Sequence, residues 1–112
     1  MNNKYIKNQS KEMTFSKNGF SVLLPIIDNT DISICFVETE QGRDNYCMCD
    51  ESTMFYYIIN GNGYFIINDE KCPIITGDLI EIPSRHRYSY KGNIKMLEVQ
   101  TPAFNEKDVH EF

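Results

Sequence analysis

The sequence predicts a single all-β domain, and three observations predict it. Short runs rich in Val, Ile, Phe and Tyr alternate with turn-forming clusters from Phe20 to Gln100, the rhythm of a sandwich or barrel. Seven Tyr and seven Phe favour a half-buried pleated surface. No stretch sustains the 3.6-residue apolar period of an amphipathic helix. At 112 residues the chain holds one core, because a second would lack chain to bury.

Taken in order, residues 1–19 form a polar arm rich in Asn, Lys and Gln, which orders only against something else. The barrel then spans 20–104, with strands predicted at Phe20 to Leu24, Ile32 to Glu38, Asn45 to Cys49, Met54 to Ile59, Tyr64 to Ile67, Cys72 to Ile75, Leu79 to Ile82, Arg87 to Tyr90 and Ile94 to Gln100. Asn60-Gly61-Asn62-Gly63 supplies residues that tolerate positive φ and reads as the strongest hairpin turn. Asn68-Asp69-Glu70, Thr76-Gly77-Asp78 and Lys91-Gly92-Asn93 read as weaker turns. The tail, 105–112, offers one helical turn.

Charge and composition exclude several classes of function. A net charge of −5 argues against nucleic acid, which needs a basic patch to neutralise phosphates. No run approaches the roughly 20 apolar residues of a membrane span, and the first residues lack a signal peptide's pattern, so we expect a cytoplasmic protein. In that reducing compartment Cys35, Cys47, Cys49 and Cys72 are expected as free thiols.

Two motifs carry a resemblance. The run Phe55-Tyr56-Tyr57-Ile58-Ile59-Asn60-Gly61-Asn62-Gly63-Tyr64-Phe65 is an aromatic-aliphatic strand ending in Gly, and Gly77-Asp78-Leu79-Ile80-Glu81-Ile82-Pro83-Ser84-Arg85-His86 is a Gly, five residues, a Pro and then a His. On these, the segment from about Asn45 to Phe104 resembles the cupin superfamily, with a degenerate metal motif. The resemblance implies a small double-sheet, jelly-roll-like barrel. Counting back from Gly61 puts Cys47 and Cys49 where the family's paired His would lie and Met54 at the place of its Glu; His86 keeps the family's ligand type. A cupin of the usual kind holds its metal with three imidazoles and a carboxylate. Here Cys47, Cys49 and His86 offer a thiolate-imidazole set for Zn or Fe, or the cysteines are small buried hydrophobes and no cofactor is held, the reading we favour.

If Met54 faces inward, alternation turns Tyr56 inward too, and the same argument from His86 places Tyr88 and Tyr90 inside. On the last long strand either Met96, Glu98 and Gln100 or Lys95, Leu97 and Val99 face in; we lean towards Glu98. The expected function is binding of a small polar, carbohydrate-like or anionic metabolite, with isomerase, epimerase or lyase chemistry by metal-independent proton transfer. His86, Tyr88 and Glu98 are its candidate catalytic groups. Tyr56, Arg85, Arg87 and Tyr90 are candidate ligand-binding residues. The alternatives are a non-catalytic sensing cupin and a Cys/His metal-dependent one. The resemblance also implies a homodimer, with the arm as a strand to exchange with a partner.

Overall fold

The computed structural model describes residues 4–8 and 10–112. Residues 1–3 and 9, part of the expected arm, lie outside the described residues. The chain forms β1 (Met13–Lys17), β2 (Phe20–Asp28), β3 (Ser33–Thr39), β4 (Cys47–Cys49), β5 (Thr53–Ile67), β6 (Glu70–Ile75), β7 (Leu79–Ile82), β8 (Tyr88–Thr101) and β9 (Val109–Glu111). Every pairing is antiparallel. Along the sheet the order is β1-β2-β3-β8-β4-β9, and β5 adds β6 and β7 to its own pairing with β8. Among the described residues there is no helix, and hence none long and apolar enough to cross a membrane.

β5 and β8 dominate this architecture and correct two expected turns. Asn60 to Gly63 lies inside β5, and Lys91 to Asn93 lies inside β8; the two segments face each other, with Asn62 opposite Asn93 and Gly63 opposite Gly92. The glycines serve close backbone approach rather than chain reversal. A Cβ on Gly61 would collide with the Asn93 carbonyl, one on Gly63 with that of Lys91, and one on Gly92 with that of Asn62. A bulge between Ile58 and Asn60 bends the strand where the ribbon passes from one layer to the other. It also switches the inward parity, from Met54, Tyr56 and Ile58 to Phe65.

True reversals lie elsewhere. Asn68 and Asp69 both take positive φ and join β5 to β6. Asn18 and Gly19 do the same between β1 and β2, an Asn-Gly hairpin signal that the sequence reading passed over. The arm therefore pairs with the chain's own β2. The tail is likewise no helical turn beyond its first residues, because β9 finds an unpaired edge on β4. Asp108 anchors it there: its buried carboxylate accepts hydrogen bonds from the Glu51 and Ser52 amides and the Ser52 hydroxyl. The bonded sheet thus extends beyond 20–104 at both ends.

The core includes Val22, Val37, Met54, Tyr56, Ile58, Phe65, Ile82, Tyr88, Tyr90, Ile94 and Met96, all buried. We expect Gly92→Ala, which combines positive φ with a backbone collision, to lower the unfolding free energy by about 2 kcal/mol or more. Gly77→Ala meets open space and should cost about 1 kcal/mol, both measured by urea denaturation.

Candidate active site

Register across three strands builds the centre of the site. Glu98 of β8 lies opposite Cys35 on β3 and opposite Tyr56 on β5, so all three side chains share the inner face. Glu98 Oε2 accepts a hydrogen bond from the Cys35 thiol at 3.1 Å, and Oε1 accepts one from the Tyr56 hydroxyl at 2.9 Å. The Tyr56 and Tyr88 hydroxyls stand 2.6 Å apart, which carries the chain of polar groups back to the start of β8. Of the two orientations open for 94–100, the structure has Met96, Glu98 and Gln100 inward.

This chain of groups borders a cavity of about 270 Å³ that lies between β1, β2 and β3 on one side and β4 and β9 on the other. Its walls are largely apolar, with Phe20, Val22, Met54 and Val109; its polar groups include Cys35, Cys47, Tyr88, Glu98, Gln100 and Arg43. Arg43 is a residue that sequence reasoning missed. It follows Gly42 in the β3–β4 loop, and nothing in its local sequence marks it as inward-facing. The guanidinium is buried, lies over the Phe20 ring at 4.7 Å, donates to Asn45 Oδ1 at 3.1 Å and to Glu111 Oε1 at 3.2 Å, and stays charged at any physiological pH.

Burial sets the protonation of the site's weak acids. It pushes Tyr56 and Tyr88 well above the ordinary phenol range, and the nearby Glu98 carboxylate pushes the same way, so both hydroxyls keep their protons and act as donors. Cys35 is raised by burial and by Glu98. Burial also raises Cys47, against the pull of Arg43, and lifts Cys49 to about 12. The pocket thiols are thus protonated groups.

Several sequence-predicted site residues fall elsewhere. His86 does not line the cavity; it sits in the β7–β8 loop with Nδ1 3.0 Å from its own loop's Ser84 carbonyl. The loop is held away by backbone hydrogen bonds on both flanks, Arg85 N to Cys49 O and Asn68 N to Arg87 O. Arg85 is exposed beside the Asp50 carbonyl, and Arg87 lies over the Tyr46 and Phe112 rings and pairs with Asp69. Neither reaches the cavity. Tyr56 and Tyr90 stand behind the pocket wall, packed with Phe65 at ring separations of 5.3 Å, and only Tyr88 of the three tyrosines lines it.

The alternative set of metal ligands is not assembled. Among the described residues no three His, Cys, Asp or Glu side chains come together as metal ligands, and Cys47 and Cys49 face the cavity without His86. The donors present do not fit the family's ion.

A curled antiparallel sheet with a pocket on its inner face, on this pair of motifs, defines the class: the chain has the fold of a small cupin. It is similar to solved structures of Pac13, a nucleoside dehydratase, with 27% identity over 95% of this chain and 84% of that one and a TM-score of 0.84. A histidine-to-glutamine variant of Streptomyces Pac13 with uridine matches at 29% identity, 98% and 92% coverage and a TM-score of 0.88. KdgF from Halomonas sp. shares the fold at 13% identity, 86% and 90% coverage and a TM-score of 0.72. No protein-family model and no curated protein sequence matches the chain.

Two outcomes follow from the burial and charge of the site. Cys72, half-buried beside Glu70 and outside the cavity, should be the first to react with a disulfide reagent at mildly alkaline pH, and Cys72→Ser should remove that fast phase. Glu111 is held below its ordinary 4.5 chiefly by the hydrogen bond from Lys17. A carboxyl depressed on folding contributes stability that is present above about pH 4.5 and is lost as pH falls through its lowered value. Glu111→Gln should therefore flatten the acid side of a Tm-against-pH profile.

Proposed function

We propose that the pocket binds a nucleoside- or sugar-like molecule and eliminates water from it, a lyase reaction run by proton transfer. The observation that carries this reading is the hydrogen-bonded series Glu98–Tyr56–Tyr88, whose two ends line the cavity while its middle is buried. Removing water requires a base for the C–H proton and an acid for the departing hydroxyl, and this series holds one of each.

In the proposed step Glu98 Oε2 takes the proton from the substrate carbon, displacing the weak Cys35 thiol donor. The C–H electron pair becomes the new C=C bond, the C–O bond breaks, and the Tyr88 hydroxyl protonates the leaving oxygen. The protonated Glu98 carboxyl then turns to present that proton to Tyr56, which hands its own to the Tyr88 phenolate, so the protein is restored and the substrate has lost one water. A carbon acid strong enough for a carboxylate needs a carbonyl beside the C–H bond, which points to an oxidised sugar ring or side chain as substrate. Tyr56 touches no substrate and acts as a positioning and relay residue. The raised phenols suit donors rather than bases, which leaves the base to Glu98. Similarity to the nucleoside dehydratase Pac13 supports a nucleoside as the substrate class.

The test begins with uridine binding by calorimetry, followed by mass spectrometry of carbonyl-bearing nucleosides and sugars for loss of one water. Glu98→Gln and Tyr88→Phe should each lower kcat by about 100-fold or more. Tyr56→Phe should lower it less and leave KM nearly unmoved. Wild-type turnover in both Glu98→Gln and Tyr88→Phe would end this reading.

A further inference from the structure

The C-terminal strand brings a carboxylate into the pocket. β9 pairs with β4 so that Glu111 lies opposite Cys47 and Val109 opposite Cys49, and these four share the inner face, while His110 faces out to Asp50. Glu111 Oε1 accepts from Lys17 Nζ at 3.0 Å and from Arg43 Nη2 at 3.2 Å, and Oε2 accepts from Asn18 Nδ2 at 3.2 Å. The donors come from the β1–β2 hairpin and from the β3–β4 loop, so two separate parts of the fold converge on one carboxylate of β9.

The cations among the cavity-lining residues are Lys17 and Arg43, and Glu111 engages both. Arg43 is 5% exposed and stacked on Phe20, and its Nη2 edge is taken by Glu111. The other lining carboxylates, Asp28 and Glu98, add negative charge to the same space. A ligand phosphate or carboxylate entering here meets the exposed Glu111 and Asp28 and then the half-buried Glu98, and like charges repel, most at Glu98 where water screens least. An uncharged ligand meets no such penalty.

We propose that Glu111 is a specificity residue: seated on Lys17, Asn18 and Arg43, it reserves the pocket for uncharged nucleoside- or sugar-like ligands over their phosphorylated or carboxylated forms. This departs from the anionic metabolite that Arg85 and Arg87 suggested, because those arginines lie outside the pocket and the arginine inside it is already neutralised. The choice of a nucleoside as ligand rests on the function proposed above; the exclusion of anions does not.

The experiment compares uridine with uridine 5′-monophosphate by calorimetry, in the wild type and in Glu111→Gln, and records the Tm of both proteins against inorganic phosphate. The wild type should hold uridine at least about tenfold more tightly than the monophosphate, and Glu111→Gln should reduce that ratio by about tenfold or reverse it. The variant's Tm should also rise with phosphate at concentrations that leave the wild type unmoved, since its freed cations gain a counter-ion on the folded state alone. Equal affinities in the wild type, or an unchanged ratio and no phosphate response in Glu111→Gln, would overturn the proposal. If neither protein binds uridine or its monophosphate, the nucleoside reading falls, and the phosphate comparison decides the charge exclusion by itself.

Discussion

The long antiparallel pairing of β5 with β8 is the constraint on which the rest of this structure depends. It runs from Thr53 opposite Thr101 to Ile67 opposite Tyr88, and it places Tyr56 beside Glu98 and Phe65 beside Tyr90. A slip of one residue in β8 would turn Glu98 to the outer face and bring Leu97 inward, and one in β5 would exchange Tyr56 for Tyr57. The crossing glycines pin that register, since Gly61, Gly63 and Gly92 tolerate a backbone approach that no side chain permits.

From that register follows a pocket with an uneven distribution of polarity. The apolar walls exclude water from a small set of polar groups that satisfy one another, and among the described residues no buried side-chain nitrogen or oxygen lacks a hydrogen-bond partner. Glu98 is held by a thiol and a phenol, and Arg43 by Asn45 and Glu111. Such groups are fixed before any ligand arrives, which would lower the reorganisation required in the proposed proton transfer. The Cys35 thiol is the weakest of these donors and lines the cavity, so in the proposed reaction Oε2 is the carboxylate oxygen assigned to the substrate.

Much of the fold was legible locally. The period-two runs at Ile32 to Glu38 and Leu79 to Ile82 lie within a residue of β3 and at β7, because each is a short alternating strand between turn residues. Asn60 to Gly63 misled because Asn and Gly carry the same local signature in a hairpin and in a sharply bent strand; only a partner strand distinguishes the two. Similarly, His86 carries the family's motif in sequence, yet a loop of a few residues pinned at Arg85 and Arg87 directs it away from the cavity. Alternation correctly turned Tyr88 inward, whereas it does not separate a residue that lines a pocket from one such as Tyr90 that fills the core behind it.

The sequence by itself determined the all-β class, the small cupin barrel and the inner position of Tyr56 and Tyr88, because alternation, turn chemistry and motif spacing are properties of neighbouring residues. Tertiary structure alone decided that Glu98 meets Cys35 and Tyr56, that Arg43 enters the pocket and that the last strand delivers Glu111 to it. Those contacts join residues 42 to 94 positions apart or isolated in loops, such as Tyr56 with Glu98 and Lys17 with Glu111. They arise from strand pairing between distant segments, for which no local pattern in the chain supplies a signal.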